Sequence, residues 1–406
     1  MGNVPNLRFP EFSGEWKKMK VSELLDFYST NSLSWEQLDY NNGKIKNLHY
    51  GLIHKGVPTM VDVACDYLPY IKEESMPKSF TLFKEGDVAF ADASEDTNDV
   101  AKAIEVVNCD NQQIVSGLHT IHGRDNSNQT IIGYKGYAFA SDSFHKQIRR
   151  IAQGTKVFSI STRNFDEVYI GIPSKEEQTK IAKLLIAIDK RIATQTKIIE
   201  KLQSLIKGLS QQLLSSENDW ILYRLDDLAQ IKSGYSGTQV SYQTPYKVSR
   251  IETISKHCID IQRIGYVECI PESYRLNVGN ILFSNINSIQ YIGNTAYLDK
   301  DYGLYHGMNL LRIIPNTTIV RPRFLHLLLC TDWAINYFQT ICNKAVSQAS
   351  INQTALGKSR FPIPPMSVQQ QICSMFELTE RKLDNEQEYI SCLQQQKRYL
   401  LQKMFI

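Results

Sequence analysis

A chain of 406 residues is too long for one ordinary hydrophobic core, and 42% hydrophobic with 21% charged residues is the composition of a soluble globular protein. The formal net charge of +3 excludes a uniformly basic nucleic-acid coat, so cations that meet phosphates would have to form local patches. No apolar run reaches the roughly 18 residues that a membrane span needs, and the N-terminus lacks the pattern of a signal peptide, so we expect a cytoplasmic protein.

In chain order, the composition predicts a short N-terminal segment and then two rounds of a mixed globule followed by a helical region. The successive parts are residues 1–15, 16–158, 159–215, 216–349 and 350–406. Both globules alternate short apolar runs with turn signals, which predicts mixed α/β units. Within them, Tyr134–Ala140 and Gly279–Phe283 are predicted strands, and Phe144–Ala152 and Arg323–Thr340 are predicted helices.

Each helical region predicts one long amphipathic helix, at about 175–214 and 366–405. Apolar residues recur there at spacings of three, four and seven, and no proline interrupts either pattern. Ser174 and Ser367 are candidate N-caps, each followed three residues later by Glu or Gln.

A helix of this length, about 60 Å at 1.5 Å per residue, needs a partner for its apolar stripe. We therefore expect the two helices to pair as an antiparallel coiled coil, with one globule near each end. The alternative is that each helix packs only on its own globule.

The chain is internally duplicated. At one constant offset Ile170–Pro173 matches Phe361–Pro364, and residues of the helices that follow also match, among them Gln178 with Gln369. Such a repeat indicates two copies of one structural unit. Since the globules differ more than the helices, the copies are expected to share a frame and to differ in what they contact.

No motif for catalysis is complete. Gly357-Lys358-Ser359 is like the end of a phosphate-binding loop, but Asn352 stands where that loop requires glycine. His119 and His122 have no third metal ligand nearby in sequence. The eight cysteines are scattered without a Cys-x-x-Cys pair and are expected to be reduced core residues. We predict no catalytic residue and no metal site.

Several short segments occur in a fixed order on the duplicated frame. They are Leu7–Pro10, Gly86-Asp87 with Asp92–Asp96, Ile172–Gln178, Pro245–Ile251 and Ile363–Gln369. Together they resemble the specificity subunit of type I restriction-modification enzymes, over essentially the whole chain. The second copy departs from the pattern with Val368 in place of Glu177 and Asn280 in place of Asp87.

This resemblance implies an α+β fold in which two mixed α/β target recognition domains are held apart by two long antiparallel helices, with an internal pseudo-two-fold repeat. It implies that each domain reads one half of a bipartite, asymmetric double-stranded DNA site. The coiled coil would set the spacer and dock two DNA-methyltransferase subunits, and two motor-nuclease subunits would complete the restriction complex. S-adenosylmethionine, ATP and Mg²⁺ would belong to those partners, so that this chain is non-catalytic and binds no cofactor.

Direct base reading needs polar side chains on a surface that can enter a groove. The candidates in the first globule are Asn47, His49, Tyr50, Lys55, Ser94, His119 and Arg124. Those in the second are Lys247, Ser249, Arg250, Asn285, Asn287, Ser288, Tyr291, His306 and Asn309. Candidate phosphate contacts are Lys44, Lys46, Lys232 and Lys256.

A second interpretation is a coiled-coil scaffold whose two globules bind protein partners. The low net charge favours it slightly. Salt-dependent binding of duplex DNA would distinguish the first interpretation from this one.

Overall fold

The computed structural model describes residues 2–215, 220–255, 257–344 and 348–406. The chain divides into two compact units, Met1–Thr196 with Glu388–Ile406 (unit 1) and Lys197–Gln387 (unit 2). Each unit therefore combines one globule with part of each long helix. Among the described residues, no helix is both long and apolar enough to cross a membrane.

Unit 1 is built on two mixed sheets. Its strands are β1 (Lys17–Lys20), β2 (Asp26–Tyr28), β3 (Leu38–Asp39), β4 (Ile45–Leu48), β5 (Met60–Asp62), β6 (Tyr70–Ile71), β7 (Val88–Ala91), β8 (Ala93–Ser94), β9 (Ala103–Asn108), β10 (Gln113–Ser116), β11 (Thr120–Arg124), β12 (Phe158–Ser159) and β13 (Tyr169–Ile172). Its helices are α1 (Val21–Leu24), α2 (Tyr50–Lys55), α3 (Lys135–Phe139), α4 (Asp142–Ile151) and the first part of α5 (Lys175–Leu213), with 3₁₀ turns at Trp35–Gln37, Glu73–Ser75 and Thr162–Glu167. The strand orders are β2-β11-β7-β9-β5, β10-β4-β6-β3, β1-β13 and β12-β8.

Unit 2 also contains two main sheets, one of them mixed and the other antiparallel throughout. Its strands are β14 (Ile221–Arg224), β15 (Ala229–Ser233), β16 (Gln239–Val240), β17 (Tyr246–Val248), β18 (Gly265–Val267), β19 (Ile281–Ser284), β20 (Ile286–Asn287), β21 (Thr295–Tyr297), β22 (Leu304–Tyr305), β23 (Leu310–Pro315), β24 (Asn343–Lys344), β25 (Ala349–Ser350) and β26 (Arg360–Ile363). Its helices are α6 (Leu225–Leu228), α7 (Pro322–Leu329), α8 (Asp332–Ile341), α9 (Gln353–Gly357) and the first part of α10 (Met366–Lys403), with 3₁₀ turns at Ile251–Ile254, Glu272–Tyr274 and Ile289–Tyr291. The strand orders are β15-β23-β19-β21, β16-β18-β17-β22, β14-β26 and β20-β25-β24.

The main core of unit 1 lies where its larger sheet meets the helices. Strand β7 is buried along its whole length, which explains its unbroken apolar sequence. The ring of Phe90 packs against those of Phe139 (4.8 Å between centroids), Phe144 (6.2 Å) and Phe165 (4.9 Å). In unit 2 the ring of Phe283 on β19 packs edge-on against a helical phenylalanine in the same way. Burying each such ring contributes about 1.5–3 kcal/mol.

The structure corrects several local predictions. Tyr134–Ala140 forms helix α3 rather than a strand, because all five helical residues are buried and no polar face reveals the 3.6-residue period. The segment Arg323–Thr340 is helical as predicted, but it forms two helices, since Thr331 separates them and caps α8 by accepting from the amide of Ala334 at 3.3 Å. The eight cysteines are free thiols, but Cys65, Cys258, Cys269 and Cys392 are exposed and do not fill a core.

Both long helices were predicted to within two residues. Ser174 caps α5 as expected, accepting from the amide of Glu177 at 3.2 Å. Ser367 is not a cap, because α10 begins one residue earlier at Met366.

A buried glutamine joins each long helix to its globule. Gln178 accepts from the amide of Ile131 (2.9 Å) and donates to the carbonyls of Gln129 (3.1 Å) and Pro173 (3.0 Å). This side chain is only 1% exposed. All three partners are backbone groups, so the contact holds a loop and a helix start in one arrangement.

Gln369 repeats the same three contacts in unit 2. It accepts from the amide of Arg321 (2.8 Å) and donates to the carbonyls of Ile319 (3.1 Å) and Pro364 (2.9 Å). The matching glutamines of the duplicated sequence are therefore structural.

The two departures of the second copy also have structural reasons. Asp87 accepts from the amide of Lys84 at 2.8 Å, and Asn280 makes the equivalent contact with the amide of Asn277 at 3.0 Å. Because the amide oxygen still caps the turn, asparagine serves there as well as aspartate does.

The other departure, Val368 in place of Glu177, is explained by the N-terminal segment, which contacts Glu177. The guanidinium of Arg8 donates to both carboxylate oxygens of Glu177 at 2.7 Å and to the carbonyl of Gly14 at 2.5 Å. In unit 2 the equivalent residue, Val368, packs against the hydrophobic core.

Replacing Arg8 by alanine is expected to lower the free energy of unfolding of unit 1 by about 2 kcal/mol, because the buried Glu177 carboxylate loses a bidentate partner. Lys180→Ala is the matched control: Lys180 also joins the helix to the N-terminal segment, through Glu11, but both side chains are about half exposed. That exposed pair contributes little to stability because solvent screens it. Urea unfolding checks this prediction, which equal losses in the two variants would contradict.

Candidate nucleic-acid interface

Each unit contains a parallel strand pair whose carboxyl ends carry two adjacent loops. In unit 1 the pair is β4 and β10, and in unit 2 it is β17 and β22. We call the following segments the edge loops: 48–50 with 117–119 in unit 1, and 249–251 with 307–309 in unit 2. Parallel pairing brings these loops together although they are far apart in sequence.

The edge loops of unit 1 are joined through the backbone. The amide of Gly117 donates to the carbonyl of Leu48 at 3.0 Å, and the amide of Tyr50 donates to the carbonyl of Leu118 at 3.3 Å. A Cβ atom at position 117 would lie 2.2 Å from Oδ1 of Asn47, so this close approach requires glycine.

His119 is the exposed tip of these loops. Its backbone is left-handed (φ +53°), and its side chain is 53% exposed. Its Nδ1 lies 3.2 Å from a carboxylate oxygen of Asp92, and the ring of Tyr50 meets it edge-on, with 5.4 Å between centroids. Burial raises the pKa of Asp92, and the nearby imidazole acts in the opposite direction.

Two predicted base contacts lie beneath this tip rather than on it. Asn47 is fully buried and donates to Oδ1 of Asn31 at 3.0 Å. His49 is also buried and caps α2 by accepting from the amide of Gly51 at 3.2 Å. Burial lowers the pKa of His49 to about 4, which keeps the ring neutral. Both side chains support the loops and expose no surface for a base.

Arg124 lies at the far end of β11 from His119. Its guanidinium donates to both oxygens of Asp87, at 2.8 and 2.7 Å, and to the carbonyl of Leu82 at 2.8 Å. Burial alone would raise the pKa of Asp87, but the hydrogen bonds from Arg124 and His122 hold it below its usual range. The donors of Arg124 are therefore engaged within the fold.

The remaining predicted residues of unit 1 stay accessible. Lys55 is exposed at the end of α2. Ser94 is partly exposed on β8 and accepts from the amide of Asp96 at 3.1 Å.

Unit 2 has the same arrangement with different side chains. Asn309 is exposed at the tip and left-handed (φ +62°). A Cβ at position 307 would lie 2.0 Å from the carbonyl oxygen of Ser249, so glycine is required two residues before the tip, as in unit 1.

Ser249 and His306 are buried supports of this loop. The hydroxyl of Ser249 accepts from the amide of Gly307 at 3.0 Å. Nε2 of His306 lies 2.9 Å from the carbonyl of Leu310 and donates to it, and burial lowers the pKa of His306 to about 4. Like Asn47 and His49, these two predicted base contacts expose no surface.

The cationic candidates of unit 2 lie in the open. Lys247 and Arg250 are exposed, and the guanidinium of Arg250 is 3.6 Å from the carboxylate of Glu252.

Four other candidates follow strand β19. Asn285 donates to the carbonyl of Ile351 at 3.3 Å, and Asn287 donates to the hydroxyl of Ser284 at 3.1 Å. Ser288 donates its amide to Oδ1 of Asn287 at 2.8 Å, and Tyr291 is exposed. Asn285 is the counterpart of Asp92, because Ser284 pairs with Leu310 as Ala91 pairs with Thr120.

The candidate phosphate contacts divide in the same way. Lys44 and Lys232 are exposed. Lys46 is buried on β4, where desolvation lowers its pKa, so it offers no surface to a phosphate. Lys256 lies outside the described residues.

Sequence reasoning missed Trp35 and the equivalence of the two tips. Trp35 is 43% exposed and its ring lies 4.3 Å from that of His49, a contact with no local signal. The tips did have a signal, since a glycine stands two residues before each of them. Among the described residues, no cluster of three or more His, Cys, Asp or Glu side chains could hold a metal ion.

The chain contains two copies of one α/β globule. Each copy is followed by a long helix and exposes a polar loop tip on the same backbone frame. The two copies therefore define a duplicated recognition module. The family described as the type I restriction modification DNA specificity domain matches residues 13–204 and 217–395. The chain belongs to this family, which confirms the resemblance drawn from its motifs.

Among the relatives is a Methanocaldococcus jannaschii protein named as the putative MjaX type I restriction enzyme specificity subunit, 38% identical over 193 residues, or 46% of this chain and 45% of that protein. The chain spans about half the length of the curated relatives it matches. The crystal structure of the S subunit of a type I restriction-modification system from M. genitalium matches with a TM-score of 0.60 at 16% identity, covering 99% of each chain. A chain from a study of type I R-M complex assembly and conformational transition matches with a TM-score of 0.59 at 14% identity, covering 95% and 96%. At these identities the structural likeness concerns the fold.

Proposed function

We propose that this chain is the specificity subunit of a type I restriction-modification complex and that each globule reads one half of a bipartite, asymmetric DNA site. The target recognition domains are residues 16–158 and 216–349. The observation that carries the proposal is the pair of edge loops, which share a backbone frame and present different side chains. A protein that recognises two different half-sites needs the same backbone frame in both domains and different side chains at the contacting positions.

The exposed cations suit this role. Lys55 in unit 1 and Lys247 and Arg250 in unit 2 are exposed at or near the edge loops. Cations placed beside reading loops position a protein on the phosphates while the loop tips discriminate bases. Local placement of this kind is compatible with a net charge of only +3.

The helical regions, residues 159–215 and 350–406, form the coiled coil that sets the spacer and docks two methyltransferase subunits. Exposed apolar side chains on both helices support docking: Leu205 on α5 is 49% exposed, and Leu378 and Tyr399 on α10 are 58% and 54% exposed. Apolar groups left in water on a helix favour a protein partner. The scaffold interpretation gave protein binding to the globules. We instead assign protein binding to the helices and DNA recognition to the globules.

The chemistry belongs to partner subunits. The methyltransferase subunits and the two motor-nuclease subunits use S-adenosylmethionine, ATP and Mg²⁺. This chain directs those subunits to a DNA sequence in the cytoplasm. It is non-catalytic by itself.

Exchanging residues 16–158 for the corresponding domain of another specificity subunit is expected to change one half-site and to leave the other half and the spacer unaltered. The test maps methylated bases on a DNA library with the full chain and its methyltransferase partner. The reciprocal exchange of 216–349 is the matched control and should change only the other half. A change in both halves from either exchange would contradict the assignment of one half to each globule.

A further inference from the structure

The two loop tips occupy the same place in the two copies. His119 and Asn309 each follow a required glycine by two residues and immediately precede equivalent strands, β11 paired with β7 in unit 1 and β23 paired with β19 in unit 2. Both are left-handed, at φ +53° and +62°. One backbone conformation is therefore used twice, with two different side chains.

This conformation is energetically unfavourable for any residue with a Cβ. Glycine would adopt it freely, while His and Asn are among the side chains that tolerate it best. A side chain kept at such a position, with its polar end in solvent, is more useful for contact than for folding.

Buried groups on either side hold each tip in place. In unit 1 the hydroxyls of Ser116 and Thr120 lie 2.6 Å apart, and Thr120 donates to the carbonyl of Gly117 at 2.5 Å. In unit 2, Ser249 and His306 make the contacts already described. The supports differ between the copies, but both fix the loop and leave the tip accessible.

We propose that His119 and Asn309 are the specificity-determining residues of their half-sites, each reading one base pair in the major groove. This inference rests on the proposed function, because it requires that each globule reads one half of the site. It goes further by naming one position, repeated in both copies, at which the identity of a single side chain selects a base.

The chemistry of each tip indicates its base. The amide of Asn309 offers one donor and one acceptor side by side, which match N7 and the N6 amino group of adenine. We assign Nδ1–H of His119 as the donor to the Asp92 carboxylate, 3.2 Å away, which leaves Nε2 as an acceptor. Such an acceptor takes a hydrogen from an exocyclic amino group, so His119 selects adenine or cytosine over guanine or thymine.

The test exchanges the two side chains, as His119→Asn and Asn309→His, in the full chain with its methyltransferase partner. Methylated bases are mapped on a library in which both half-sites are randomised. Each variant is expected to change preference at one base pair of one half-site by about 10- to 100-fold, as a single good base contact provides. The other half-site and the spacer should stay as in the wild type.

Asn309→Gly keeps the loop unstrained and removes the reader, so it should relax selection at the same base pair that Asn309→His alters. Asn128→His is the matched control, because Asn128 is another exposed, left-handed asparagine, in unit 1 and outside the edge loops. It should leave the recognised site unchanged.

If the wild type recognises no bipartite site, the proposed function fails. If the wild type recognises a bipartite site and the His119→Asn, Asn309→His and Asn309→Gly variants keep it unchanged, the tips are not the readers and this inference alone fails. Thermal unfolding at the wild-type temperature confirms that each variant is folded, so that a changed site reports on reading.

Discussion

Replacing Gln369 by alanine is expected to lower the free energy of unfolding of unit 2 by about 3 kcal/mol, because three backbone groups lose their partners. The amide of Arg321 and the carbonyls of Ile319 and Pro364 all depend on this one side chain. The Gln369 side chain is fully buried, so water cannot replace it without rearrangement.

Gln370→Ala is the matched control, since Gln370 is the next residue of the same helix, is exposed and donates to the hydroxyl of Ser374 on that helix at 2.9 Å. We expect it to cost less than about 0.5 kcal/mol. Urea unfolding measures the two losses, and hydrogen exchange should show faster exchange of the Arg321 amide in the first variant alone. Equal stabilities with unchanged exchange at Arg321 would refute the role given to this glutamine. Gln178→Ala should act in the same way on the Ile131 amide.

Acidification from pH 7.5 to 5.5 is expected to destabilise both units by about 3 kcal/mol each. Burial lowers the pKa of His49 and His145 in unit 1, and of His306 in unit 2, to about 4, and that of His326 in unit 2 to about 3. The unfolded imidazole titrates near pH 6.5.

Between these values the unfolded chain binds protons that the folded chain does not. Stability is therefore fully present above pH 6.5 and is lost as the pH falls from 6.5 toward 4. One unit below 6.5, each imidazole with a pKa of about 3 to 4 has cost about 1.4 kcal/mol, and each unit contains two of these. Burial also lowers the pKa of His257 in unit 2, which acts in the same direction. A loss of this size is a large fraction of the 5–15 kcal/mol that stabilises an ordinary domain.

His306→Gln tests the origin of this loss, because an amide can donate to the carbonyl of Leu310 without titrating. The free energy of unfolding of the variant at pH 7.5 serves as the reference for its own loss at lower pH. From there to pH 5.5 it should lose about 1.4 kcal/mol less than the wild type. The same loss in both proteins would show that His306 does not contribute to the acid sensitivity.

The long helices and the duplication could be predicted from the sequence because they depend on information repeated along the chain. An apolar stripe that persists from Ile181 to Leu213 and again from Ile372 to Met404 tolerates only a helical period. The Gly86-Asp87 motif was equally informative, since φ of Gly86 is +87° and φ of Gly279 is +88°, a conformation that favours glycine.

The exposure of the candidate residues was predicted only in part. Of the candidate residues, His119, Lys55, Arg250 and Asn309 are exposed to solvent. Other chosen side chains are buried beneath them, as Asn47 is. Polar side chains that support a loop and polar side chains that reach a partner have the same composition, so a single sequence does not separate them.

The sequence by itself thus determined the family, the two-copy plan and the extent of both long helices, since periodicity and repeated motifs are properties of the chain. Only the tertiary structure decided which polar residues reach the surface. In unit 1 the two edge loops meet because β4 and β10 pair in parallel, although these strands are more than sixty residues apart in sequence. A contact of that separation arises from the packing of whole layers, so no local pattern encodes which side chain will be its tip and which its support.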